Sequence, residues 1–494
     1  MQTGFSFYDW LIFASYFALL IFASIFLANK NMKSSREFFV ASNAMPIYAV
    51  ALSLLATAQS AATFLGAPEF SYRYDLTLIG YSITSLLAIY IVSKLLVPRF
   101  YAINALSVYE LLKTRYDESA SKSAGIMFLV GRVFASGARL YIAAIALSMI
   151  VFYEVSFYSV VLSVIILIIG ALIFTYFGGV KSVIYSDIIQ IVVYLGAGIA
   201  VLFYLYSSLG MDFSTIMSKL NEAQKLKFVD FELSFSNEGK FNIFALLSGY
   251  MLLNIAAFGL DQDLTQRVLS CKNEKQASFS LYGATLLSIP VSMLFLSIGL
   301  LLYLYYQEHS ISQKFEGQSV TIFMYYILNE MPEGLKGFVT IGAIAAALSS
   351  TNSVLGAMSS VAIEDIYKPF KLKKDPNTKE LHFVKMAKIM VLLFALALSV
   401  MAILSYIVHS MSEVPLISFA LGVMAYAYSG LLGVFAAAIF TTRGNSKLVP
   451  YALLGGFLSV LSMQGYTFGF DIGFAWQLMI GTFISFIIMQ IGKD

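Results

Sequence analysis

Five small polar residues in a row, Ser349 to Ser353, lie inside an otherwise apolar stretch of the chain. Three of them, Ser349, Ser350 and Ser353, share one helical face with Ala346, which they follow at intervals of three, four and seven residues. Lipid offers hydroxyl groups no hydrogen bonds, so a neighbouring helix or a ligand must satisfy them. A hard cation prefers such oxygen ligands. Small residues at this spacing also let membrane helices pack closely, which is the alternative.

A second polar cluster interrupts the apolar stretch "ALSLLATAQSAATFLGAPEF", residues 51–70. A helix that unwinds there would free backbone carbonyl oxygens, and a facing helix would add hydroxyls. Ions and solutes bind at broken helices of this kind in the middle of a membrane. Gly66 and Pro68 are also compatible with a simple kink. The polar side chains of the cluster are Thr57, Gln59, Ser60 and Thr63.

Three ionisable side chains stand out within apolar segments, where charge is costly and usually marks function. Arg132 and Arg139 occur in "LVGRVFASGARLY". Asp187, in "GGVKSVIYSDIIQIVV", lies about one turn inside the predicted span 183–208. Asp187 and Glu69 are the only acids that we place clearly within spans, both near helix ends, so Arg132 is expected to lack an acidic partner. A guanidinium pairs with a carboxylate through two parallel hydrogen bonds, which indicates an acidic ligand. An Arg132 that clamps two helices and a solvated Asp187 are the alternatives.

The whole composition is that of an integral membrane protein. Of 494 residues, 59% are hydrophobic and 12% are charged, and the mean hydropathy is +0.81. Soluble domains average about 45–50% apolar and about 25% charged residues. A span needs roughly 20 apolar residues, and thirteen segments qualify: 7–29, 46–70, 76–97, 123–153, 156–177, 183–208, 241–260, 276–306, 337–364, 383–408, 414–441, 448–465 and 470–491.

Several function classes are disfavoured by the same sequence. The net charge of +3 gives no indication of nucleic-acid binding. One cysteine excludes an intramolecular disulfide, and the three histidines have no metal-ligand spacing. We find no nucleophile–base pair, so an enzyme is not expected. A channel would need a continuous polar lining, whereas the polar residues here gather at mid-membrane. A receptor that does not transport is a further alternative.

Basic residues indicate the orientation, since cytoplasmic loops carry the excess of Lys and Arg. They concentrate in the loops that follow the odd-numbered predicted spans, for example at Lys113, Arg115 and Lys122. We therefore expect a multi-pass protein of the inner (plasma) membrane, with the N-terminus outside and the C-terminus in the cytoplasm.

Four motifs in order resemble the solute:sodium symporter family, which carries sugars, proline, pantothenate, iodide and sialic acids. They are "ALSLLATAQSAATFLGAPEF", "FTYFGGVKSVIYSDIIQ", "DQDLTQRVLSCKN" and "AAALSSTNSVLGAMSSVAIEDIY". The resemblance covers nearly the whole chain. It implies an all-α membrane protein with about thirteen transmembrane helices and a LeuT-like fold of two inverted five-helix repeats.

The resemblance also divides the chain into five parts. A leading helix and cytoplasmic loop would occupy 1–45, and the two inverted repeats 46–208 and 241–441. An extracellular loop, 209–240, would join the repeats, and two trailing helices, 442–494, would follow. A monomer is expected.

By the same resemblance, sodium is the coupling ion. The main sodium site is implied at the carbonyls of Ala56, Gln59 and Ala346 and the hydroxyls of Ser349 and Ser350. A possible second site would use Asp187, Ser350 and Ser353. Asn352 stands where sialic-acid carriers have a serine, which leaves the number of sodium ions open.

The best local resemblance is to bacterial sialic-acid symporters. It implies uptake of a carboxylate-bearing sugar, driven by inward sodium flow through alternating access. A neutral sugar, another organic acid or an amino acid is the alternative substrate. Ala58 and Tyr81 depart from the pattern of the sialic-acid carriers. The implied substrate-binding residues are Thr57, Ser60, Thr63, Tyr81, Arg132, Asn254 and Phe258.

Overall fold

A computed structural model describes residues 5–27, 34–236, 241–308, 322–409, 416–468 and 470–492. These residues form an all-helical bundle without a β-sheet. The first half contains α1 (Phe7–Leu27), α2 (Ser35–Val40), α3 (Ile47–Ala58), α4 (Ala61–Arg73), α5 (Ile79–Leu95), α6 (Val97–Ala102), α7 (Glu110–Arg115), α8 (Glu118–Phe152), α9 (Phe157–Leu209) and α10 (Phe213–Glu222). The second half contains α11 (Ile243–Ala245), α12 (Met251–Gly259), α13 (Gln262–Val268), α14 (Glu274–Glu308), α15 (Ile322–Glu330), α16 (Leu335–Val361), α17 (Lys368–Lys374), α18 (Glu380–His409), α19 (Leu416–Phe440), α20 (Val449–Ser462), α21 (Gly465–Phe468) and α22 (Phe474–Ile491).

Eight of the described helices are long and apolar enough to cross a membrane, and two bent pairs raise the number to ten. Three shorter apolar helices, Phe7–Ala23, Phe157–Ile173 and Val449–Ser462, fall within three further predicted spans. The expected membrane-spanning helical architecture is therefore confirmed, whereas the count of thirteen stays a prediction.

The first bent pair is α3 and α4, whose axes differ by 56°. Gln59 and Ser60 between them have extended backbone angles. Helix α4 then continues through Gly66 and Pro68, so the break lies in the polar cluster and not at these two residues.

The second bent pair joins Ile243–Gly259 to α13 at an angle of 54°. Asp261 begins α13, because its side chain accepts the N–H of Asp263 at 2.9 Å. This short helix lies outside the predicted spans, between 241–260 and 276–306. Its polar side chains are nevertheless buried in the bundle.

Helix α9 contains a third break, at Gly179, with φ 60° and ψ −172°. Glycine adopts this conformation readily because it has no Cβ atom. The break separates the predicted spans 156–177 and 183–208.

Burial distinguishes central from peripheral helices. The most apolar part of Leu335–Lys374 is 94% buried within the protein, whereas that of Glu380–Ile407 is only 28% buried. The serine-rich helix α16 is therefore central, and it packs most extensively against α9. Its polar residues face other helices rather than lipid.

Candidate functional site

One cavity is lined by all seven residues expected to bind substrate. They come from four parts of the bundle: the α3–α4 break, helix α5, helix α8 and helix α12. The seven are Thr57, Ser60, Thr63, Tyr81, Arg132, Asn254 and Phe258.

Polar groups in this cavity differ in how fully they are satisfied. Asn254 is fully buried and donates to the Tyr81 carbonyl at 3.2 Å. Its Oδ1 atom has no hydrogen-bond partner among the described residues. Hydroxyls of Ser82 and Ser292 hydrogen-bond to each other across the cavity wall at 2.8 Å. The cavity therefore combines an unpaired acceptor with hydroxyls, a lining suited to a polar solute.

Arg132 is buried between two acids. Its Nη1 atom lies 2.9 Å from Asp261 Oδ2, and its Nη2 atom contacts Asp263 Oδ2. Tyr428 also donates to Asp261. The expectation that Arg132 has no acidic partner in the protein is wrong, because the α12–α13 bend carries Asp261 and Asp263 into the bundle.

Arg139 lines the same cavity, two turns along α8 from Arg132. Its Nη2 atom lies 3.1 Å from the sulfur of Met424, a weak acceptor. Within the described residues, no carboxylate lies within ion-pair distance of Arg139. Of the two arginines, Arg139 is thus the one whose charge has no acidic partner here.

The α3–α4 break changes the bonding of backbone carbonyls. In a continuous helix the backbone N–H of Ser60 would donate to the Ala56 carbonyl. Here the Ser60 N–H donates to Thr63 Oγ1 instead, at 3.5 Å. The side chain of Gln59 accepts a hydrogen bond from Tyr194, at 3.3 Å. Both Ala56 and Ala346 are 3% exposed.

The serines of α16 have different partners. Ser349 donates to Asp187 Oδ1 at 2.7 Å, and Ser353 donates to the Ser349 carbonyl at 2.6 Å. Ser350 is buried, and its hydroxyl has no partner among the described residues. Neighbouring helices thus satisfy part of the polar run, as the packing alternative expects, but leave Ser350 unpaired.

Asp187 is fully buried, so a solvated aspartate is excluded. Ser53 donates to its Oδ2 atom, and Arg267 Nη2 lies 3.1 Å from the same oxygen. Arg267 also contacts Ser353. A guanidinium therefore lies beside the carboxylate that was expected at the possible second sodium site.

Asn352 has both side-chain amide atoms buried and without hydrogen-bond partners in the described part of the chain. With Ser353 and Arg267 it lines a small separate cavity next to the Gly179 break. Asn352 is thus close to the expected second site, although no hydrogen bond of its side chain joins it to Asp187.

Comparison with known proteins identifies similar chains. A model of the Sodium:solute symporter family matches residues 38–459. The chain is 25% identical to the sodium/sialic acid symporter SiaT of Proteus mirabilis, covering 97% of this chain and 93% of that protein. It is 28% identical to the sodium-coupled monocarboxylate transporter 2 of Mus musculus, covering 93% and 72%.

A solved structure of a Na+-coupled sialic acid symporter has the same fold, with a TM-score of 0.82. That comparison covers 98% of this chain and 97% of the other, at 23% identity.

Proposed function

This chain belongs to the sodium:solute symporter family, and we propose that it couples inward sodium flow to the uptake of a carboxylate-bearing sugar of the sialic-acid class. It is a sodium-coupled solute symporter, not an enzyme, and sodium is cargo rather than a cofactor. The observation that carries the substrate proposal is Arg139, a cavity-lining guanidinium without a carboxylate among the described residues. A substrate carboxylate would provide the missing counter-charge.

Arg139 replaces Arg132 as the proposed partner of the substrate carboxylate. Arg132 already lies against Asp261 and Asp263, so an acidic substrate would have to compete with two carboxylates. Ser60 and Thr63 offer hydroxyls to the same carboxylate, and the free Oδ1 of Asn254 suits a sugar hydroxyl.

The main sodium site is proposed at the α3–α4 break. Two features support it: the altered helical bonding at Ala56 and the unpaired, buried hydroxyl of Ser350. A hard cation would satisfy both oxygens. The proposed ligands are the carbonyls of Ala56, Gln59 and Ala346 and the hydroxyls of Ser349 and Ser350.

A second sodium site would use Asp187, Ser350 and Ser353, with Asn352 nearby. The carboxylate and the Ser353 hydroxyl both contact Arg267 in this conformation. To bind there, sodium would have to displace the Arg267 guanidinium from Asp187. Sodium therefore competes with an internal cation for this carboxylate.

The similarity to the monocarboxylate transporter supports a second candidate, a small organic acid. It would use the same Arg139 but leave the Oδ1 atom of Asn254 without a hydrogen-bond partner. Buried polar groups left unpaired cost free energy, so a polyhydroxylated acid is favoured.

We further propose a monomer with LeuT-like inverted repeats, one leading and two trailing helices, in the inner (plasma) membrane. The N-terminus would lie outside and the C-terminus in the cytoplasm, as the distribution of basic residues indicates.

A thermal-shift screen of the purified protein tests the substrate class. N-acetylneuraminate, lactate, galactose and proline are each added in sodium chloride or, at equal ionic strength, in potassium chloride. We expect stabilisation by N-acetylneuraminate in sodium alone, because only a ligand that binds the folded state raises the melting temperature. Stabilisation by lactate would favour the second candidate. Stabilisation by galactose or proline alone would overturn an acidic substrate.

A further inference from the structure

Five buried charged residues form a continuous chain of alternating sign. Asp187 Oδ2 lies 3.1 Å from Arg267 Nη2, and Arg267 Nη1 lies 3.2 Å from Asp263 Oδ1. Asp263 Oδ2 contacts Arg132, whose Nη1 lies 2.9 Å from Asp261 Oδ2. Each of the five is at most 3% exposed. Water therefore screens these charges little, and each depends on its neighbours.

One end of this ion-pair chain lies at the substrate cavity and the other at the serine-rich helix α16. Arg132, Asp261 and Asp263 line the substrate cavity. At the other end, Asp187 accepts the hydroxyl of Ser349 on α16. The ion-pair chain thus connects the cavity to the serine-rich face of α16 through side chains in direct contact.

The charges of the ion-pair chain do not cancel. Three carboxylates and two guanidiniums leave one negative charge, which a sodium ion at the Asp187 end would neutralise. Arg139, in the cavity, carries one positive charge without an acidic partner among the described residues. An acidic solute there would neutralise it. Counted together with Arg139, these six groups are neutral overall, and a cation and an anion that bind together keep that balance.

We propose that Arg267 is the internal cation that sodium displaces from Asp187, and that the displacement reaches the cavity through Asp263. This rests on the proposed function, since it requires sodium to be the coupling ion. Arg267 already donates to the carbonyl and carboxylate of Asp263, at 2.8 and 3.2 Å. A guanidinium that leaves Asp187 binds Asp263 more closely and weakens the hold of Asp263 on Arg132.

A purely structural role for the ion-pair chain would have different consequences. Arg267 would fasten α13 to α3 and α9 through Ser53 and Asp187. Any substitution would then lower stability, without opposite effects on sodium binding. The sign of the change in sodium affinity separates the two roles.

The test is a sodium titration of the purified protein without substrate, in which thermal shift is measured while potassium keeps the ionic strength constant. Arg267→Gln removes the competing cation and should lower the half-saturating sodium concentration about fivefold or more. Asp263→Asn removes the group that receives the guanidinium, so Arg267 holds Asp187 more tightly. Its half-saturating sodium concentration should rise about fivefold or more.

Glu69→Gln is the matched control, because Glu69 is a buried acid paired with Arg73 outside the ion-pair chain. Its sodium response should equal that of the wild type. If Arg267→Gln does not fold, Arg267→Lys replaces it: lysine keeps the charge but cannot span both acids, so sodium affinity should again rise. Shifts of the same sign in the Arg267 and Asp263 variants, or no shift, would overturn the inference. A wild type that sodium does not stabilise would instead contradict the proposed function itself.

Discussion

Two arginines on one face of α8 illustrate how neighbours decide the role of a residue. Arg132 and Arg139 are chemically identical and both line the substrate cavity. Arg132 lies between Asp261 and Asp263, whereas the contact of Arg139 is the sulfur of Met424. The first is therefore assigned to the ion-pair chain and the second to the substrate carboxylate.

Arg139→Gln should raise the KM for an acidic substrate about tenfold or more, which corresponds to a loss of about 1.4 kcal/mol. Glutamine keeps hydrogen-bond donors but loses the charge and the two-pronged geometry. The melting temperature should change little, because no described acid loses a partner. Uptake kinetics and detergent melting on the same preparation measure both effects.

Arg132→Gln provides the comparison for Arg139→Gln. It leaves Asp261 without a guanidinium and Asp263 with Arg267 alone. Removing one partner of a buried ion pair costs about 3–5 kcal/mol. We expect a large fall in melting temperature. A stable Arg132→Gln variant with a raised KM, beside an Arg139→Gln variant with wild-type KM, would exchange the two assignments.

Ser350→Ala should raise the half-saturating sodium concentration about tenfold, equivalent to about 1.4 kcal/mol. The reason is that its buried hydroxyl has no partner in the described protein and is a proposed sodium ligand. Ser359→Ala on the same helix is the control, since Ser359 donates to the Ala387 carbonyl at 2.8 Å. Equal sodium affinity in both variants would mean that Ser350 only packs.

The seven residues that the family resemblance assigns to substrate binding line one cavity, but the sequence motifs did not indicate the partners of its charged residues. Thr57, Ser60, Thr63 and Arg132 lie in segments whose polarity is unusual for a membrane span. Tyr81, Asn254 and Phe258 were assigned from the family resemblance. Asp261 and Asp263 were not predicted as partners of Arg132, because the preceding span was predicted from hydropathy to end at residue 260. The i, i+4 spacing of Asp263 and Arg267 signals one helical turn. Only the tertiary fold reveals that this turn is buried.

At the scale of elements, breaks in helices position the site. The α3–α4 break provides unwound backbone, and the bend before α13 brings in acids. The first break could be predicted because polar residues cluster there. The second could not, because "GLDQDLTQR" has the composition of an ordinary surface loop.

Gly179→Ala should destabilise the protein by about 1–3 kcal/mol, because φ 60° and ψ −172° strain any residue with a Cβ atom. Gly356→Ala is the control: its added methyl would lie 4.0 Å from Gln266 and Thr175, an ordinary contact. Chemical or thermal denaturation compares the two. Equal stability of both variants would show that the break at Gly179 is not required.

The segment 209–236 contacts the helices through Lys225, whose Nζ donates to the Tyr72 carbonyl at 2.7 Å near the end of α4. Partial burial lowers the pKa of Lys225 from 10.5 to about 8. Between these two values the unfolded chain binds more protons at this site than the folded one. This group therefore makes the free energy of unfolding rise with pH over that window.

Lys225→Gln isolates the effect of this lysine from other titrating groups. The melting temperature of the wild type relative to the variant should increase as the pH rises from about 8 towards 10.5. A difference that stays constant or falls over this window would contradict the assignment.

At the scale of the molecule, the symporter combines an apolar exterior with a central polar zone. The serine-rich helix lies at the centre, and the proposed substrate cavity and the proposed sodium site share the α3–α4 break. Composition and periodicity predicted this architecture, since nearly every span is a long apolar run. Sequence similarity does not determine the substrate, because relatives named for sialic acid and for monocarboxylates resemble the chain to a similar degree.

Proteoliposome uptake tests sodium-coupled transport of an acidic sugar most directly. Purified protein is reconstituted, and labelled N-acetylneuraminate is followed under an inward sodium gradient, with an inward potassium gradient and protein-free vesicles as controls. We predict accumulation above the external concentration that collapses when the sodium gradient is dissipated. Uptake that proceeds equally in potassium, or accumulation of galactose but not of N-acetylneuraminate, would contradict the account.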